Sequence, residues 1–202
     1  MASFSPFNTL ESALIHFNIQ ENSQILFPPI DEYVAVPQTL IEDLHFNMTE
    51  MPYKVSEASI CEMVIFPILR SVWKNFKTKL LLWSHKGIGK DAENSGIPDY
   101  IIAKRSHLGR VMDLPFLVMI EAKKDNFDEG WGQCVVQMRT AQLLNQDDKP
   151  IYGIVSNGGN WEFGQLLGDI FTQHSTNISI DDLPKLYNTL CYLLKICEKR
   201  VE

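Results

Sequence analysis

Three residues in the middle of the chain have the types and spacing of a hydrolytic site: Asp99, Glu121 and Lys123. Asp99 precedes the apolar run Tyr100-Ile101-Ile102. Glu121 closes a second run, Phe116-Leu117-Val118-Met119-Ile120, and Lys123 follows it by two positions. Side chains of a strand repeat every second residue, so Glu121 and Lys123 share a face, and Asp99 can join them if the two strands pair. A hard divalent cation such as Mg²⁺ takes a few carboxylate oxygens plus waters, and a neighbouring lysine can hold or deprotonate an attacking water. That chemistry is phosphodiester hydrolysis. The plainer alternative is a same-face ion pair at a strand end. The strand before Glu121 is apolar throughout, however, as a buried central strand would be, and charges at its end then call for partners.

The elements that must position these residues follow from periodicity and punctuation. A long helix is predicted from Ser56 to Phe76, with Ser56 as N-cap, Glu57 in the first turn and a kink at Pro67. At about 100° per residue, Ile60, Cys61, Val64, Ile65, Ile68, Leu69 and Val72 form one apolar arc. Glu57 falls inside that arc and Glu62 near its far edge, so Glu57 is favoured over Glu62 as the carboxylate this helix sends to a site. Leu80 to Ser84 reads as a strand, and Lys86 to Gly89 with Asp91 to Gly96 as a loop. The strands at Asp99 to Lys104 and Phe116 to Ala122 are joined by a connection bearing a basic cluster, Lys104, Arg105, His107 and Arg110. Such a cluster suits phosphates or an ordinary solvated loop. A second helix is expected from Glu129 to Asn145, with Gln133 and Gln137 one turn apart on a common face. Ile151 to Ser156 reads as a buried strand, Asn157 to Asn160 as a turn, Trp161 to Leu167 as another strand, and Leu183 to Lys199 as the closing helix.

Before this core, residues 1–52 are rich in proline and poorly periodic. They carry short helices at Leu10 to Phe17 and Gln38 to Phe46 and read as an extension packed on a domain formed by residues 53–202. The whole chain is 202 residues, 45% apolar and 21% charged, with a mean hydropathy near zero, which fits a globular protein and excludes disordered and fibrous classes. No apolar run approaches the roughly 18 residues of a membrane span, and the first residues lack a signal-peptide pattern, so no membrane partner and a cytoplasmic location are expected. The four cysteines lack metal-ligand spacing and read as free buried thiols. A net charge of −7 argues against broad, nonspecific nucleic-acid binding.

The pairs Pro98-Asp99 and Glu121-Ala122-Lys123, with a helix carrying Glu57 before them and a helix carrying Gln133 after them, resemble the PD-(D/E)xK nuclease superfamily. The order of elements from Ser56 to Ser156 resembles that superfamily's αβββαβ core, over about half the chain. Ser56-Glu57-Ala58, Pro67-Ile68-Leu69, Glu121-Ala122-Lys123-Lys124 and Gly153 to Trp161 are also similar to the N-terminal nuclease domains of type I restriction subunits. Small stand-alone bacterial proteins, several of them cyanobacterial, share Gly-Gln-Cys in the second helix.

The resemblance implies an α/β (α+β), restriction-endonuclease-like fold with a mixed central sheet, plus an N-terminal wrap and a C-terminal strand and helix. It implies Asp99 and Glu121 as ligands of Mg²⁺ or Mn²⁺, the carbonyl of Ala122 as a further ligand, and Glu57 as a ligand or water holder. Lys123 would position or deprotonate the nucleophilic water, and Gln133, with Gln137 in reserve, would reach the nucleic-acid backbone or orient the lysine. The implied activity is bacterial, cytoplasmic, Mg-dependent hydrolysis of DNA that leaves a 3′-hydroxyl and a 5′-phosphate, with a partner subunit or a homodimer supplying sequence readout. The spacing from Asp99 to Glu121 is long for this motif. The competing expectation is a catalytically silent protein on the same fold that binds nucleic acid or a protein as a regulatory or assembly subunit.

Overall fold

The computed structural model describes residues 7–28, 33–89 and 95–202. In chain order the elements are α1 (Leu10–Phe17), β1 (Gln20–Gln24), α2 (Gln38–Glu50) and α3 (Glu57–Ile60). A π-helical turn (Cys61–Ile65), α4 (Phe66–Trp73) and a 3-10 turn (Lys74–Phe76) continue α3. Then come β2 (Leu80–Ser84), β3 (Ile88–Gly89), β4 (Ser95–Gly96), β5 (Tyr100–Arg105), β6 (Met112–Ala122) and α5 (Phe127–Asn145). β7 (Ile151–Ser156), β8 (Asn160–Leu167), β9 (Ile170–His174), β10 (Ile178–Ser179), a 3-10 turn (Ile180–Asp182) and α6 (Leu183–Arg200) complete the chain.

One mixed sheet runs β1-β9-β8-β7-β6-β5-β2, with β10 paired to β8. The pairs β6–β7 and β1–β9 are parallel; the other pairs are antiparallel. β6 lies inside this sheet, and Leu117 to Ile120 are wholly buried, which is what a strand covered on both faces requires. The α3–α4 segment, α2 and α6 cover one face, packing Ile60, Ile65, Ile68, Leu190 and Leu193 against Val118 and Ile120. Helices α5 and α1 cover the other, where Val135, Met138, Ala13 and Leu14 meet Met119 and Ile101. The sheet is therefore the middle of three layers, and the helix–strand–strand–strand–helix–strand succession from Glu57 to Ser156 is the one expected.

Several boundaries differ from the sequence reading for identifiable reasons. The long first helix is continuous in course, and its irregularity is a wide turn in which the Phe66 N–H reaches the Cys61 carbonyl, immediately before Pro67. Proline has no N–H to offer the ladder, and a wide turn redistributes the bonds it interrupts. β6 starts at Met112 rather than Phe116, so the Arg105 to Pro115 connection is mostly hairpin. Ile102 pairs with Val118 and Ala103 with Phe116, which leaves Leu117 as an extra residue that exchanges the faces of everything before it. The segment read as a loop at 86–96 contains the small β3–β4 ribbon; its residues 90–94 lie outside the described part. The N-terminal residues add an edge strand, β1, whose Gln-Glu-Asn-Ser-Gln sequence gives no apolar alternation to reveal it. Beyond β7 there are three strands, β8 to β10, where one was expected.

The seat of α5 on the sheet depends on two glycines. Gly153 and Gly164 face each other across β7 and β8. A methyl group on Gly153 would come within 3.0 Å of Trp131, and one on Gly164 within 2.8 Å. The paired glycines make a hollow that accepts the Trp131 indole, whose Nε1 donates to Glu162 Oε2 at 2.6 Å. Gly164→Ala should therefore overpack this contact and cost about 1–3 kcal/mol of stability, measurable as a lower denaturant midpoint with an unchanged slope.

Candidate active site

Pairing of β5 with β6 matches Tyr100 to Ile120, which brings Asp99 and Glu121 to the same end of neighbouring strands. Asp99 is held at three points. Its carbonyl accepts from the His85 backbone N–H at 2.9 Å, its Oδ2 accepts from the Ala122 N–H at 2.8 Å, and its Oδ1 lies 3.4 Å from His85 Nε2. His85 reaches this position because it follows β2, whose Ser84 pairs with Tyr100, and because its backbone turns through φ 48°. Behind Asp99, Tyr100 lies near the Cys61 thiol and is stacked on Phe66 with ring centroids 5.9 Å apart. Burial, then the Asp99 charge, pushes the Cys61 thiol up to about 12, so it stays protonated at neutral pH.

Glu121 points toward α5 and is 5% exposed. Gln137, itself buried, donates to Glu121 Oε1 through Nε2, and its own Oε1 has no hydrogen-bond partner among the described residues. Burial pushes the Glu121 carboxyl up to about 8, the Asp99 charge adds to that, and the Gln137 hydrogen bond and Lys123 oppose it. Asp99 is likewise raised by burial, against the Ala122 N–H, His85 and Lys123. Two acids in one desolvated corner cannot both ionise cheaply without an opposing charge.

Lys123 leaves the strand with its N–H donating to the Ser156 carbonyl at 2.9 Å. Its ammonium lies 3.6 Å from Glu129 Oε1 and 3.9 Å from Glu57 Oε2. Glu57 also accepts from the Lys124 N–H at 3.4 Å. Both glutamates are partly exposed, so each pair is screened and individually weak; together they fix where the amine sits. Gly130 lets the lysine stem lie against α5, since a methyl group there would be 2.9 Å from Lys123 Cγ and 2.5 Å from Val155 Cγ1.

The structure thus brings Asp99, Ala122, Glu121, Lys123 and Glu57 to one end of the sheet. Gln133 does not reach Glu121: it donates to Glu129 at 3.4 Å, and the glutamine one turn further on, Gln137, makes the carboxylate contact. Glu57 is half exposed rather than on the buried face, because the first turn of its helix extends past the edge of the core, where helical phase no longer decides burial. Glu62 lines the polar groove between α2 and α4 with Arg70 and Lys74. Two neighbours were not legible in the sequence. His85 is brought to Asp99 only by the β2–β5 pairing. Glu129 precedes Gln133 by one helical turn, a spacing that could have marked it.

As a cation site, the donor set is two carboxylates. Among the described residues no group of three or more His, Cys, Asp and Glu is arranged to hold a metal ion. Mg²⁺ is often held by one or two carboxylates with waters completing its shell, so the pair fits that ion in kind. After the Ala122 and Gln137 hydrogen bonds, Glu121 Oε2 and Asp99 Oδ1 remain, the latter 3.4 Å from His85 Nε2.

No family model matches the chain, and no curated protein does. Among solved structures, the chain is similar to the type IIG restriction endonuclease BpuSI, with 14% identity and a TM-score of 0.45 over 86% of this chain and 18% of that one. The chain therefore spans less than a fifth of that protein's length, and neither residue roles nor activity pass from it to this chain. No helix among the described residues is long and apolar enough to cross a membrane.

An ordinary glutamate ionises near 4.5, and Glu121 near 8 in the folded chain. Between those values the folded chain keeps a proton that the unfolded chain has released. Metal-free stability should therefore fall as pH rises through this window and level off above it. Thermal melts of wild type and Glu121→Gln from pH 5 to 9 check this; the variant should show the flatter profile. Gly130→Ala should displace Lys123 and α5 at a cost of about 1–3 kcal/mol, visible in the same melts.

Proposed function

We propose that the chain is a metal-dependent nuclease that hydrolyses DNA phosphodiester bonds at the Asp99–Glu121–Lys123 corner. The observation that carries this reading is the placement of two acidic side chains, Glu121 buried and Asp99 partly so, at the ends of adjacent strands, with the Lys123 amine at the same end of the sheet. Burying two acids together opposes folding unless a cation or another positive group compensates. A bound Mg²⁺ or Mn²⁺ would polarise the phosphate and lower the pKa of a water. Asp99 and Glu121 would hold that ion, with the Ala122 carbonyl as a further ligand. Lys123 would orient the attacking water or stabilise charge on the phosphate, in the position set by Glu129 and Glu57. Gln137 steadies Glu121, while Gln133 acts on the lysine through Glu129. On this reading the N-terminal part of the chain, residues 1–52, would be an extension, its described α1, β1 and α2 packed on a nuclease-like domain of residues 53–202, and a partner subunit or second copy would supply sequence readout.

A second reading rests on a different observation. A Glu121 that ionises only near pH 8 is largely protonated at neutral pH, and the Lys123 amine is engaged by two glutamates. A site in that state would bind nucleic acid or a protein partner without cutting.

Mn²⁺ titration separates the two. In the nuclease reading Mn²⁺ raises the melting temperature of wild type, more at pH 8 than at pH 6, and leaves Asp99→Asn unchanged. Plasmid or single-stranded DNA is cleaved with Mg²⁺ or Mn²⁺, Asp99→Asn abolishes cleavage, and Lys123→Ala lowers it by roughly 10²–10⁴. Wild type that is neither stabilised by Mn²⁺ nor active supports the silent reading.

A further inference from the structure

Between residues 70 and 110 fall nine of the chain's 18 Lys and Arg, against three of its 25 Asp and Glu. This stretch is net positive in a chain of net charge −7. The fold gathers much of that charge on one surface, away from the carboxylate corner. Arg105 Nε donates to the Lys77 carbonyl at 2.6 Å, and its backbone N–H donates to the Lys79 carbonyl at 2.7 Å. Lys104 pairs in register with Leu80, so the turn after α4, the start of β2 and the stem of the β5–β6 hairpin adjoin one another. Lys74, Lys77, His107 and Arg110 are exposed, and Arg110 follows Gly109, which turns the hairpin at φ 93°. Among the described residues, Lys79 is the cation of this surface that forms an ion pair, with Glu202.

Lysines beside an edge strand commonly serve to discourage strand-to-strand aggregation. That accounts for Lys77 and Lys79 beside β2, but not for Lys74 on the helix side or for His107 and Arg110 at the hairpin tip. We propose that this basic surface, formed by the end of α4, the start of β2 and the β5–β6 hairpin, docks the phosphate backbone of a nucleic acid. The occupant follows from charge: an acidic chain that gathers six of its 18 Lys and Arg, Lys74, Lys77, Lys79, Lys104, Arg105 and Arg110, around one hairpin and strand edge presents there a local field suited to a polyanion. β5 runs from this surface to Asp99. Its six residues span about 20 Å, or about six nucleotides at 3.4 Å per phosphate along one strand. A strand gripped at the hairpin reaches the carboxylate corner within one docked segment, with Lys86 beyond the far end of β2 as a further exposed cation on that course.

The proposal rests on the nucleic-acid reading of the carboxylate corner for its class of ligand, and its test is made without cleavage. In EDTA, binding of fluorescein-labelled 30-nucleotide single strands and duplexes of random sequence is measured by anisotropy between 25 and 200 mM KCl. Lys74→Gln/Lys77→Gln/Arg110→Gln, all at exposed positions, should weaken binding regardless of sequence and lower the log–log salt slope by about three. Arg139→Gln/Lys185→Gln, on other faces, should leave both unchanged, and Lys74→Arg/Lys77→Arg should retain the wild-type slope. Absence of wild-type binding, or a triple variant with the wild-type slope, overturns the proposal; in the second case the apolar Leu108 and Val111 beside these cations would point to an acidic protein partner instead. A patch-dependent affinity in a protein that cuts nothing with Mg²⁺ or Mn²⁺ leaves the docking surface standing and removes the hydrolase reading.

Discussion

The structure depends on a conflict that it creates for itself: a central strand buried on both faces ends in a carboxylate. β6 supplies the most deeply buried row of the sheet, and the alternation that sinks Met119 under α5 carries Glu121 to the same side. Desolvation there disfavours the ionised acid, and the nearby Asp99 charge disfavours it further. The surrounding elements respond with the groups available to them. α5 contributes the Gln137 amide, β6 offers Asp99 the Ala122 N–H, and Lys123 comes back over the corner between two glutamates.

These responses explain why apparently remote features bear on the site. The glycine hollow under Trp131 seats α5, and the seat of α5 places Gln137 and Glu129. Gly130 then lets the helix approach closely enough for the lysine stem to pass. On the opposite face the α3–α4 segment delivers Glu57 from its first turn, capped by Ser56, whose Oγ accepts from the Ser59 N–H. The corner is assembled from α3, β6, α5 and the ends of β2 and β5, none of which could compensate two acids alone.

The chemistry is spread unevenly over the molecule. Glu57, Asp99, Glu121 and Glu129 meet at one end of the strands, whereas Lys74, Lys77, Lys104, Arg105 and Arg110 lie toward the other end of β5. The two ends of the strands therefore differ in the sign of the charge they present.

Much of the layout was legible in the sequence because it is written in short-range periodicity. α1, β2 and β7 begin and end where apolar pattern and turn residues place them, and α5 and α6 do so within about two residues, the ordinary uncertainty of helix ends. The αβββαβ succession and the grouping of Asp99, Glu121 and Lys123 follow from strand alternation together with one assumed pairing. Other features depend on contacts between distant segments. β1 is polar throughout and is a strand only because β9 offers it a partner; the Leu117 bulge is invisible until β5 and β6 are in register. The same limit applies at the corner itself. Helical spacing put Gln133 and Gln137 on one face, but only the packing of α5 decided that Gln137 meets the carboxylate, and only the β2–β5 pairing brought His85 to Asp99. Sequence determined which residues could take part, since side-chain type and local period are local properties. Tertiary structure decided which of them touch, since that depends on how closely the layers approach.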